Sequence, residues 1–223
     1  MDEILITGGK VVLRSVQETK TVTVDDFYES LSQSAGIRTP VLPERVIFYA
    51  ARNERKIYMT HQRPAAKTIK VRNTDDEIEE YTLSLPHVYF IHCYFNCAME
   101  NLYVFCSGEA LGDSSDMLYK LPLKNIHGDG LVCIGDDLKF NLEGRLNDKI
   151  EATENFFWES VFNSDLDSYF LGALPKVFNG DDEGEDPLIV WERLSTDKGF
   201  QVSEVKWKSF SRLSEIATKL MED

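Results

Sequence analysis

The sequence predicts an α+β protein in which an antiparallel β-meander carries flanking helices. Three observations lead there. The centre of the chain strings together short segments rich in β-branched and aromatic residues, separated by polar turns. After residue 148 the apolar spacing changes from that of a strand to that of a helix. The last dozen residues repeat the helical spacing. Runs of strands followed by runs of helices are the mark of helices packed on one face or end of an antiparallel sheet.

The elements follow in order. EILITGGKVVLR has two β-type arms around Gly8-Gly9, a dipeptide suited to a two-residue hairpin turn, and KTVTV alternates like a third strand. Asp25 caps a short helix, DDFYESLSQSA, with Phe27 and Leu31 on one face. Pro40 and Pro43 stiffen the connection beyond Gly36. ERVIFYAAR, RKIYMTHQR, EYTLSL, HVYFIHCYF and NLYVFCSG then read as strands joined by short turns, hence a meander. HVYFIHCYF is apolar or aromatic at nearly every position, so it is expected at the centre, covered on both faces. Asp148 and Glu151 form a capping-box pair opening a helix over residues 148–163. Its face carries Ile150, Thr153, Phe157 and Val161, with Trp158 and Phe162 beside them. DLDSYFLGALPKVF is helical or irregular. NGDDEGED, residues 179–186, has too little apolar mass to pack and reads as a mobile acidic loop. LIVWERL is open between strand and helix. Phe210, Leu213, Ala217, Leu220 and Met221 mark a C-terminal amphipathic helix.

Bulk properties narrow the function. The 223 residues are 43% hydrophobic and carry a formal net charge of -14. That charge repels phosphate backbones, which argues against nucleic-acid binding. No apolar run reaches the ~20 residues needed to span a bilayer, and MDEILITGGK has no signal-peptide shape. The expectation is a cytoplasmic protein with no membrane and no nucleic-acid partner. Cys93, Cys97, Cys106 and Cys133 are too few and too clustered for a disulfide framework and are expected as free thiols. His87, His92, Cys93, Cys97 and Cys106 lack the spacing of zinc ligands, since alternation along a strand points His92 away from Cys93. No metal and no cofactor is expected. Gly8-Gly9 is no phosphate loop, because no Gly-Lys-Ser/Thr follows.

One stretch carries chemistry. In KNIHGDGLVCIGDD, Cys133 stands just past the glycine turn at Gly128, Asp129 and Gly130, eight positions after Asn125. A reactive thiol has to be reachable, and such a loop exposes sulfur among backbone N–H groups. An asparagine amide supplies a donor for a developing oxyanion. If the acyl group arrives as a thioester, thiolate exchange needs no strong base. The bland alternatives are a buried apolar cysteine, an asparagine that bonds its own turn, and an uninvolved loop histidine at His127.

Asn125-Ile126, Asp129-Gly130 and Val132-Cys133-Ile134 resemble the active-site signature of ubiquitin-conjugating enzymes. That signature has His-Pro-Asn, an aliphatic residue, three variable residues, Gly, any residue, an aliphatic residue and the catalytic Cys. The wider string LYKLPLKNIHGDGLVCIGD looks like the prokaryotic branch of that fold. It is most similar to family D, the B component of the ParB-related, ThiF-related cassette. Leu123 and Lys124 stand where the family has His and Pro, and the family's His is mainly structural. The resemblance is carried by residues 117–135 and extends by element order over 25–170. It divides a single domain into an N-terminal β extension (1–24), a ubiquitin-conjugating-like core (25–170) and a C-terminal extension (171–223).

What the resemblance implies is a transferase. Cys133 takes a ubiquitin-like protein as a thioester from a ThiF-type adenylating enzyme, and Asn125 stabilises the oxyanion or orders the loop while an amine attacks. Asp136, Asp137 and His127 are accessory candidates near the incoming amine. A JAB-type peptidase encoded alongside is a further expected partner. Two other readings stay open: a fold with an idle cysteine that binds a ubiquitin-like or ThiF-like partner, and an unrelated cysteine hydrolase.

Overall fold

The computed structural model describes residues 3–7, 10–14, 19–23, 43, 45–52, 54–96, 98–133, 144–179 and 185–222. The expected helix at 25–35 and Cys97, Asp136 and Asp137 lie outside them, as do residues 180–184 of the acidic loop. The chain divides into two compact units, Met1–Leu42 and Pro43–Asp223.

The first unit is a three-stranded antiparallel sheet, β1 (Glu3–Thr7), β2 (Lys10–Arg14) and β3 (Thr19–Thr23). β1 and β2 pair from Glu3 with Arg14 to Thr7 with Lys10.

The second unit holds the core. Its strands are β4 (Val46–Arg52), β5 (Arg55–Gln62), β6 (Ala65–Arg72), β7 (Ile78–Leu85), β8 (His87–Phe95), β9 (Ala98–Ser107) and β10 (Met117–Lys120), with short β11 (Val161–Phe162) and β12 (Ser209–Arg212). A six-stranded sheet runs β12-β10-β9-β8-β5-β4, and its described pairs are antiparallel. The simple meander is interrupted: β5 pairs with β8, and the β6–β7 hairpin between them leaves to form a second sheet with β11. β6, β10 and β12 are strands that the sequence reading passed over.

β8 explains the two-sided core. Its side chains alternate, so Val88 and Phe90 enter one apolar cluster while Tyr89, Ile91 and Cys93 enter another. The second cluster is closed by α4 (Leu213–Glu222) through Leu213, Ile216 and Leu220. The first is closed by the β6–β7 hairpin, α1 (Leu146–Glu159) and α3 (Pro187–Thr196). Helices therefore flank the main sheet on both faces rather than one. A shorter helix, α2 (Asp167–Ala173), follows β11 and adds Phe170 to the first cluster.

α1 begins earlier than its sequence signal. Arg145 is its N-cap, and its N–H donates to the Asp148 carboxylate at 3.2 Å. Asp148 thus sits three residues into the cap and does not pair with Glu151, and the helix ends at Glu159, where β11 starts. Ile150, Thr153, Phe157 and Trp158 are buried as the periodicity predicts, and so, unexpectedly, is Glu154. Fully burying a Phe or Ile stabilises by roughly 1.5–3 kcal/mol, which offsets the cost of taking that carboxylate inside. Thr60 and Gln62 donate to Glu154, Gln62 at 2.8 Å, and Arg45 pairs with it. His92 Nε2 lies 3.6 Å from its carboxylate.

LIVWERL resolves as helix α3, capped by Asp186, whose carboxylate accepts from the Leu188 N–H at 2.8 Å. α3 covers the outer edge of β7: Glu192 accepts from the Thr82 N–H at 2.6 Å and Ser195 from the Ser84 N–H at 2.7 Å. Trp191 Nε1 donates back to the Ser84 carbonyl at 3.1 Å. No helix among the described residues is long and apolar enough to cross a membrane.

Candidate active site

The segment between Asn125 and Cys133 is a closed loop laid against the outer part of β9. Val132 N–H donates to the Leu102 carbonyl at 2.8 Å, and Val104 N–H to the Gly130 carbonyl at 2.9 Å. Within the loop, His127 N–H bonds Leu131 O at 2.8 Å and Gly130 N–H bonds His127 O at 2.9 Å. Leu123, Ile126 and Val132 are buried in the core cluster beneath. Their apolar side chains fix the loop from below, and only about 10 Å³ of cavity remains there.

Two glycines are needed for different reasons. Gly130 has φ +89°, and a Cβ on it would stand 2.5 Å from ring carbons of Phe105. Gly128 has no such φ, but a Cβ would meet the Tyr169 ring at 3.0 Å. Tyr169, from α2, also faces His127 with ring centroids 5.7 Å apart.

Asn125 is the staple of this loop. It adopts φ +63°, a left-handed conformation that asparagine tolerates better than most residues. Its carbonyl accepts the Cys133 N–H at 2.8 Å, closing the loop end to end. Its side chain bonds the β11 region: Oδ1 accepts the Asn163 N–H at 3.1 Å and Nδ2 donates to the Val161 carbonyl at 3.4 Å. One Nδ2 hydrogen is left over by these bonds.

Cys133 is exposed. Cys93 and Cys106 are buried, and burial pushes the Cys93 thiol up to about 12 and the Cys106 thiol well above its ordinary value. Among the described cysteines the accessible thiol is therefore the one in the loop. Among the described residues, a cleft of about 530 Å³ is lined by residues between 107 and 119 and between 203 and 207, another of about 660 Å³ by residues 175–177 and residues between 199 and 206, and Cys133 lines neither. A hydrolase for a small substrate places its nucleophile in such a cleft. An exposed thiol can meet a reaction partner that is itself a protein.

Of the residues singled out from sequence, Asn125, His127 and Cys133 share this loop, while Asp136 and Asp137 fall outside the described residues. His127 contributes backbone bonds and a contact to Tyr169. The sequence reading missed the supports from outside the loop: Val161, Asn163, Asp167 and Tyr169. Lys124 bonds Asp167, with Nζ 3.0 Å from Oδ1 and 3.3 Å from Oδ2. Leu123, at the position of the signature histidine, is 1% exposed and holds the loop by burial.

Comparison with curated proteins and with solved structures gives no match. A family model described as prokaryotic E2 family D matches residues 23–192. The match takes in Asn125, Cys133 and Asp167 and ends inside α3, so it reaches further toward the C-terminus than the motif-based resemblance did, while β12 and α4 lie beyond it. With more than half of the chain matched and a strand-rich core flanked by helices, the protein belongs to prokaryotic E2 family D, a ubiquitin-conjugating-like family.

Proposed function

We propose that the protein carries a ubiquitin-like modifier as a thioester on Cys133 and passes it to an amine. The observation that carries this reading is the exposed Cys133 closing a hydrogen-bonded loop on Asn125. In the first step the Cys133 thiolate attacks the modifier's C-terminal carbonyl, already activated by a ThiF-type partner. A new C–S bond forms and the bond to the activating group breaks. In the second step an acceptor amine attacks the same carbonyl, a C–N bond forms, Cys133 leaves as thiolate, and the amine's surplus proton passes to solvent. Asn125 orders the loop through its bonds to Val161 and Asn163, and its remaining N–H serves the oxyanion. Asp136, Asp137 and His127 remain accessory candidates for orienting the amine.

The test is incubation with a ThiF-type activator, ATP and a ubiquitin-like modifier, followed by a non-reducing gel. Wild type gains a band that thiol removes, and Cys133→Ala does not. An adduct that survives in the mutant places the chemistry elsewhere. A second reading, a binding platform with an idle thiol, draws on the same geometry, because the Asn125 amide is already engaged with backbone. Stable co-elution with modifier or activator, with no adduct on wild type, selects it.

A further inference from the structure

We infer that Lys124 and Asp167 form a positioning pair for Cys133, bolting the near limb of the loop to α2. Lys124 contacts both carboxylate oxygens of Asp167, at 3.0 and 3.3 Å, and its side chain is 12% exposed. An ordinary surface lysine keeps its ammonium in water. This one lies 5.7 Å from the Phe170 ring centroid, and Phe170 is itself buried. The Asp167 side chain is 40% exposed, so the pair is part-buried, and its worth lies between that of an exposed ion pair and that of a buried one.

The path from this pair to the thiol runs through one residue and one hydrogen bond. Lys124 is the residue before Asn125. Asn125 is held in its left-handed conformation by β11, and its carbonyl receives the Cys133 N–H. Two adjacent residues are thus tied to two successive elements, Lys124 to α2 and Asn125 to β11. Rotation of the peptide between them moves the acceptor of the Cys133 hydrogen bond. Tyr169, two residues after Asp167, rests on Gly128 and braces the other side of the loop. Lys124 and Leu123 occupy the two positions where the signature has other residues. Burial of Leu123 supplies one anchor and this ion pair the other.

The inference rests on the thioester reading for its activity arm alone. Lys124→Met keeps the apolar stem, and Asp167→Asn keeps the shape. The two single variants and the double are followed by hydrogen exchange of the peptide covering 125–133 and by discharge of thioester to an amine. Each single variant is expected to speed exchange of that peptide by about tenfold, leave β8 peptides unchanged, and slow discharge by a similar factor. The double variant is expected to be no worse than either single, because the pair acts as a unit. Lys124→Arg is expected to restore both readouts. Unchanged exchange in the single variants overturns the clamp. Faster exchange with wild-type discharge overturns its positioning role. If wild type forms no adduct at all, the thioester reading fails and exchange alone decides the clamp.

Discussion

Asn125 shows how much one side chain does in this loop. Its left-handed backbone, its two side-chain bonds and its carbonyl bond to Cys133 all serve order. The spacing to Cys133 was legible in sequence because the loop is local. The bonds to Val161 and Asn163 were not, since those partners lie 36 and 38 positions downstream. Substitution separates the two roles in part. Asn125→Asp keeps the acceptor for the Asn163 N–H but loses the Val161 bond together with the oxyanion donor. It is expected to charge Cys133 normally and to discharge slower by ~10²–10³, the usual cost of one oxyanion donor. Single-turnover discharge measures this, and a wild-type rate in Asn125→Asp reduces Asn125 to a staple.

At the scale of elements, α1 was found by its periodicity but not by its purpose. Ile150, Phe157 and Trp158 marked a buried face, and the same spacing carries Glu154 inward. Nothing local in the sequence says so, because its partners Gln62, Thr60 and Arg45 stand 92, 94 and 109 positions upstream. The β6–β7 hairpin was half legible. Ile69 and Val71 alternate with exposed Lys70 and Arg72, a strand pattern hidden among polar residues. That the hairpin leaves the sheet so that β5 meets β8 is a long-range choice, made by burial on both faces of β8. Glu154→Ala leaves Thr60 and Gln62 inside without their acceptor. It is expected to cost ~1–3 kcal/mol in urea unfolding, the usual cost of leaving a buried donor without its acceptor. Glu154→Gln retains the shape and is expected to cost less. Equal stability of Glu154→Ala and wild type removes α1's polar anchor as an element of the fold.

The whole molecule should be acid-sensitive. Burial lowers the pKa of His92, and burial together with the facing His87 and Arg63 lowers that of His61; burial and Arg63 lower that of His87. His61 Nε2 and His87 Nδ1 are 2.7 Å apart, so the pair resists a second proton. A group with a lowered folded-state pKa contributes stability that is present above its unfolded value and is lost as pH falls toward the folded one. For these histidines the loss begins near pH 6.5. Glu154 adds a second stage: burial opposes its charge, yet the adjacent His92 ring and hydrogen bonds from Thr60 and Gln62 hold its carboxyl below the ordinary value. Its contribution is lost below about pH 4.5. Urea midpoints are expected to hold above about pH 6.5 and to fall from there to pH 5, and His61→Gln to flatten part of that slope. A flat profile in wild type contradicts the burial of these rings.

The covering of β7 by α3 reaches beyond the single chain. A bare terminal strand is a template on which another copy adds by backbone pairing, the first step toward fibres. Here the Thr82 and Ser84 N–H groups and the Ser84 carbonyl are already taken by Glu192, Ser195 and Trp191. Side chains of a helix stand in for the missing neighbour strand, and that border is closed to edge-to-edge growth at any concentration at which the helix stays docked.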